Sequence, residues 1–527
     1  MRNTILVSIA ILILMAPLAC QETPTTVADV GAALDSLDLR LEWLDYRLNL
    51  ERWDFAHNGE ADSLEFYEDL LRAVLVGKYA MALARPGQQT LDDPDEQKRY
   101  RRIRSRVVWA QIELDPVVTA LRDSLSQVRD GFSATFEGSD HNREYLEGVV
   151  ARDRDRTSRE LAQNALDAAG EDLADGVQRL IRRRNQLAQR KGYNNYVGLV
   201  FDCRNIDGRE YVSLLNRIDT ATAEKYNEVL SSIKRQLALN MAEKWDLQFA
   251  ANDVNRRVDR FFPTDSQLAF VRQSLFAIGY DINMMPLYFD LREFPDEPVS
   301  VGSYNVAHGY DHRVSGNLAP GLSSTRSLML HTGRMLYAAS ISQPNESDAK
   351  YPDPVWEMAM AGILAALCDD PQWLETHAHL PAELAQEYSS SQINQRVIGL
   401  RRLLVDLMFE YEAYQNANRD LNELYWNLQD DFVGLPRHEQ TRPWGVLSGL
   451  IDQPLTMSDE LMADMIVAQS LAFIDRNYKS LIDPQMTRAF LEQNYFRFGG
   501  RRDWTELLDR GTDEPLNFEH LMTSLGI

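Results

Sequence analysis

The sequence predicts a large, mostly α-helical protein with a small β element at its centre. Three observations carry that expectation. Apolar residues recur at helical spacing almost everywhere from about Ala33 onward, strand-like alternation is confined to the middle of the chain, and no repeat or long flexible linker interrupts it after residue 33. A chain of 527 residues, 44% hydrophobic and 9% aromatic, carries enough apolar surface for a sizeable core, so one globular body over residues 34–527 is expected.

The elements follow in order. Residues 21–33 are polar and read as a tether. In LDSLDLRLEWLDYRLNLERW, Leu37, Leu41 and Leu48 return to one helix face and make a single apolar stripe. Similar stripes run through SLEFYEDLLRAVLVGKYAMAL, RELAQNALDAAGEDLADGVQRLIRRRNQLAQR and REYVSLLNRIDTATAEKYNEVLSSIKRQLA, with breaks at RPGQQTLDDPDE, KGYNNY and FFPTDS. The arginine blocks RRIRSR and RRRNQ lie inside periodic stretches and are expected to be solvated helix faces. Strand material is expected only at EPVSVGSYNV, Glu297–Val306, and at DHRVSGNL, a hairpin's distance further on. Helices are then expected at RSLMLHTGRMLYAAS, at DPVWEMAMAGILAALCDDPQWL, and again from about Ser389.

Composition narrows the function classes. A formal charge of −24 would repel phosphate over most of the surface and argues against a nucleic-acid partner. Three cysteines, Cys20, Cys203 and Cys368, cannot make a disulfide framework; one Cys203–Cys368 bond and two buried free thiols both fit the sequence. The first residues carry a positive charge, a short apolar run, ILVSIAILILMAPLA, and then a cysteine followed by polar QETPTT. This resembles a bacterial lipoprotein signal. The resemblance implies that residues 1–19 are removed, that Cys20 is lipidated, and that 20–33 tether the body to a membrane. The protein would then stand in the bacterial cell envelope, facing the periplasm or the exterior.

The chemistry-bearing candidate is HTGRM, His331 to Met335, at the centre of the helical RSLMLHTGRMLYAAS stretch. Residues four apart share a helix face, so two histidines at that spacing can hold one zinc ion while an intervening glutamate activates bound water. Here only His331 is a ready zinc ligand. The order of strand, DHRVSGN, helix with His331 and helix with Glu357 resembles the angiotensin-converting-enzyme and thimet-oligopeptidase group of zinc metallopeptidases. AQRKGYNNYVGLVFDCRNID, LNELYWNLQDDFVGLP, RPWGVLSGLIDQPLTMSDELMADMIVAQSLAFI and WTELLDRGTDEPLNFEHLM are similar to other segments of that group, over roughly residues 40–525. The resemblance implies a peptidyl-dipeptidase-like helical fold with a deep central cleft. It places the first metal position at His331, the catalytic base at Thr332, the second metal position at Met335 and the third at Glu357. Thr332 cannot serve as a carboxylate base, and a thioether is a poor zinc ligand. Near the family's substrate-holding histidine and tyrosines stand Gly449, Thr456, Met457 and Glu460.

The expectation is therefore a lipid-anchored peptidase-like protein without zinc, other cofactor or catalysis, one that still takes peptides along a strand edge. Two rivals stand beside it. One is an active zinc metallopeptidase recruiting His308 or His312 as a ligand; the other is a structural or interaction protein whose cleft is irrelevant. His377 and His379 offer two further imidazoles to a metal, but exposed loop histidines are more often simply solvated, and that is expected of them. Arg334 follows His331 by three residues and so shares its face, which points it at Glu357; an Arg334–Glu357 ion pair, with His331 as a third member, is expected in place of the metal.

Overall fold

A computed structural model describes residues 27–58, 63–83, 93–292, 299–342, 349–478, 481 and 484–527. The signal segment and Cys20 lie outside them. The described chain is helical except for two small sheets, and it divides into two compact units: residues up to Leu121 with Arg183–Gly208, and Arg122–Arg182 with Arg209–Ile527. All three crossings between units fall within helices: Pro116–Asp130, Arg156–Arg190 and, at its first residue, Gly208–Gln236. A border inside a helix leaves no turn or linker signal in the sequence.

In the first unit the leading helix, α1 (Val27–Asn58), starts inside the stretch read as tether, because Val30, Ala33 and Leu34 are already buried. Its stripe of Leu34, Leu37, Leu41, Leu44 and Leu48 packs against α2 (Leu64–Leu75) and α3 (Pro94–Glu113) through Val74, Leu75, Ile103 and Val107. The arginine blocks are not the solvated faces expected of them. Arg102 bonds Asp38, and Arg106 grips both oxygens of Asp45 at 2.8 and 2.6 Å. Arg184, on α4 (Arg156–Arg190), is fully buried and grips both oxygens of Glu113 at 2.9 and 2.7 Å. Tyr196, at the start of α5 (Tyr196–Arg204), adds its hydroxyl to the same carboxylate. A charge tolerates that burial only when paired and hydrogen-bonded, which periodicity alone does not reveal.

In the second unit the central hairpin is present, β4 (Ser300–Ala307) against β5 (Asp311–Asn317), and two strand features were not expected. The first is a separate hairpin, β1 (Ser133–Phe136) with β2 (Ser139–Asn142). Its two-residue turn, Glu137–Gly138, has φ of 52° and 86°, the left-handed pair that a tight hairpin turn demands. Both strands are four residues long and mostly exposed, so they leave no burial alternation to read. The second is β3 (Leu287–Asp290), which joins β5 in parallel and gives the order β3-β5-β4. Cys203 and Cys368 are free thiols, each in a different unit.

The core of this unit forms where α6 (Leu322–Ser340) meets the sheet and α7 (Pro354–Ala365). Leu328, Met329, Met335 and Leu336 of α6 interlock with Trp356, Ala359, Met360, Ile363 and Leu364 of α7. Gly333 permits the approach: a Cβ there would lie 3.1 Å from Leu364 Cδ1 and 3.4 Å from Ala361 Cα. The helix α9 (Met457–Tyr478) covers the other side of α7, after α8 (Ala382–Gln415) has run along the unit.

Candidate functional site

Gly333 sits between the two residues of interest on α6, and the close approach it allows brings α6 and α7 into side-chain contact. Arg334 Nη2 donates to Glu357 Oε2 at 2.7 Å, and Nε donates to the same oxygen at 3.2 Å. The guanidinium thus uses its side edge on a single carboxylate oxygen. The Arg334 side chain is 42% exposed and that of Glu357 16%, so this is a half-open pair, not a buried one.

His331 does not join that pair. Its Nδ1 lies 3.0 Å from Ser303 Oγ of β4. Ser303 stands opposite Val314, which is fully buried, so this face of the hairpin is the one packed on α6. Burial, reinforced by the neighbouring Arg334 charge, pushes the His331 imidazole down to about 4, leaving it neutral at pH 7. Ser303 was not among the residues expected at the site. Period-two alternation along VSVGSYNV puts it on one face with Val301 and Asn305, but which face meets the helix is a tertiary fact.

Thr332 and Met335 point into the protein. Thr332 is fully buried with no hydrogen-bond partner for its hydroxyl, and Met335 is 1% exposed among the apolar side chains between α6 and α7. His308, in the β4–β5 turn, accepts from Asn305 Nδ2 at 3.0 Å and lies against the Tyr351 ring. His312 is fully buried, neither ring nitrogen has a partner, and burial pushes it down to about 4. His377 ends a short helix near Trp373, and His379 is exposed with φ of 57°. Gly449 is buried against Met457, and burial beside Asp464 and Asp459 raises the Glu460 carboxyl.

These residues do not fit a zinc ion. Of His331, Thr332, Met335 and Glu357, only the His331 ring and the Glu357 carboxylate have suitable donors, and the latter is bonded to a guanidinium. Among the described residues no three His, Cys, Asp or Glu side chains are grouped to hold a metal. A groove of about 800 Å³, lined by Glu224, Lys225, Glu228, Arg235 and Asn394 among others, includes none of the candidate residues.

No protein-family model and no curated protein matches this chain. Among solved structures, it is similar to a 3.1 Å X-ray structure of a protein assigned as an oligoendopeptidase F, with a TM-score of 0.71 over 96% of each chain. The identity is 14%, so the likeness shows the fold alone. The fold is thus a large, mostly helical one with a small β element, of oligoendopeptidase F-like architecture.

Proposed function

We propose that this chain is an envelope lipoprotein, anchored through Cys20, with a peptidase-like fold that binds peptides and does not cleave them. The Arg334–Glu357 pair carries the reading. In the related peptidases the position of Glu357 belongs to the metal; here its carboxylate is satisfied by a fixed cation. Thr332 and Met335, at the positions of the base and the second imidazole, are absorbed into the core. Losing a general base typically costs ~10²–10⁴-fold, and losing the Lewis acid removes several kcal/mol more. What supports peptide binding is the position of β4, at the edge of its sheet and tied to His331 through Ser303.

The decisive experiment is zinc loading of the purified protein, followed by gel filtration, metal analysis and a peptide-cleavage assay. Substoichiometric zinc and no chelator-sensitive cleavage are expected, also for Thr332→Glu alone. Combining Arg334→Ala with Met335→His should create retention, since it frees Glu357 and supplies a second imidazole at the right helical spacing. Stoichiometric zinc in the unaltered protein would instead support an active metallopeptidase.

A further inference from the structure

A guanidinium has five N–H donors in a rigid planar fork. Glu357 takes the side edge of Arg334, through Nε and Nη2, and takes it on one oxygen only. Nη1 makes no protein hydrogen bond among the described residues, and the side chain is 42% exposed. The end-on edge, Nη1 with the outer N–H of Nη2, therefore faces outward as two parallel donors spaced for one carboxylate. The fork is held in place before any ligand arrives: Glu357 fixes it from behind, and the Gly333 contact fixes the helix that carries it. Preorganisation of this kind lowers the ordering cost of binding.

The neighbours agree with an anionic ligand. His331, one turn back on α6, is tied to Ser303 of β4, so the fork is carried by the helix that packs against this strand.

We propose that the outward edge of Arg334 is an anchor for a carboxylate of a peptide laid along β4, the guanidinium holding the ligand's charged group. This rests on the peptide-binding reading above. The carboxylate comes from the peptide's C-terminus or from an Asp or Glu side chain, and the same chemistry serves both.

The test uses two pools of N-acetylated pentapeptides randomised at every position, one with free C-terminal carboxylates and one with C-terminal amides. Each is equilibrated with the full-length protein and the retained peptides are read by mass spectrometry. The acid pool should be retained roughly tenfold better than the amide pool, as for a charge-assisted pair of hydrogen bonds. Arg334→Gln should reduce the acid pool to the level of the amides, while Glu357→Gln, which removes the competing carboxylate, should keep or raise its retention. Amide peptides enriched in Asp or Glu, and lost in Arg334→Gln, would place the carboxylate on a side chain and still support the anchor. Equal retention of both pools with no enrichment of Asp or Glu, or discrimination that survives Arg334→Gln, would overturn the anchor and leave peptide binding standing. No retention of either pool would overturn both. Hydrogen exchange of α6 and α7 in each variant separates loss of binding from loss of fold.

Discussion

Among the Arg–Glu pairs that join helices in this protein, Arg184–Glu113 and Arg334–Glu357, one in each unit, are built differently. Arg184 and Glu113 are 0% and 2% exposed, both carboxylate oxygens are gripped, and Tyr196 completes the shell. Arg334 and Glu357 are 42% and 16% exposed, and a single oxygen takes both donors. The first pair has no capacity left and can only hold the unit together. The second keeps an edge of the guanidinium outside the pair. A closed pair reads as structure; a half-open one keeps donors free for a ligand.

The contrast is sharpest in stability. Arg184→Met should strand a buried carboxylate and cost ~3–5 kcal/mol, seen as lost hydrogen-exchange protection in α3 and α4. A loss below about 1 kcal/mol would mean that the two pairs are energetically alike.

Acidification probes the same contrast between imidazoles. His312 is buried without a partner, and its folded value of about 4 lies below the 6.5 of an unfolded chain. Between those values the unfolded state binds more protons, so stability falls as pH drops from about 6.5 and the loss is complete below about 4. At ~1.4 kcal/mol per pH unit, His312 should cost about 3 kcal/mol. His331 shifts in the same direction and adds to the loss over the same window. Urea unfolding of the wild type and His312→Leu at neutral pH and near pH 4 should show a smaller acid penalty in the variant; equal penalties would assign the titration elsewhere.

The smallest effect is expected at the half-open pair. Arg334→Ala should cost only ~0.5–1 kcal/mol, because solvent replaces much of what the exposed guanidinium gives Glu357. The buried-pair cost of Arg184→Met does not apply to it. A loss of several kcal/mol in the hydrogen exchange of α6 and α7 would show that Arg334 is structural after all.

Much of this is legible in the chain itself. Helical periodicity marked α1 and α4, and alternation marked β4 and β5, because long periodic segments advertise the face they bury. The i, i+3 relation of His331 and Arg334, with the place the resemblance gives Glu357, aims the guanidinium at that carboxylate, but the same relation also expects His331 in the pair, and His331 lies against Ser303 instead. The hairpin at 133–142 was missed because its strands bury too little to alternate. The strand β3 gives little sequence signal because it is only four residues long and pairs in parallel with β5, past β4. The arginines of RRRNQ were misread because a buried charge is identified by its partner, and Glu113 lies some seventy residues away.

The sequence by itself determined the residue types: a threonine and a methionine at the positions the resemblance gives to a base and a ligand, and an arginine one turn after His331. Those identities constrain the chemistry wherever the side chains come to lie, since a hydroxyl is no carboxylate and a thioether is no imidazole. Only the tertiary structure decided which groups are exposed and which are spent. Helix packing through Gly333 set Arg334 on one oxygen of Glu357, and sheet packing drew His331 to Ser303 instead. Such choices depend on distances between segments remote in sequence, and local periodicity carries no information about them.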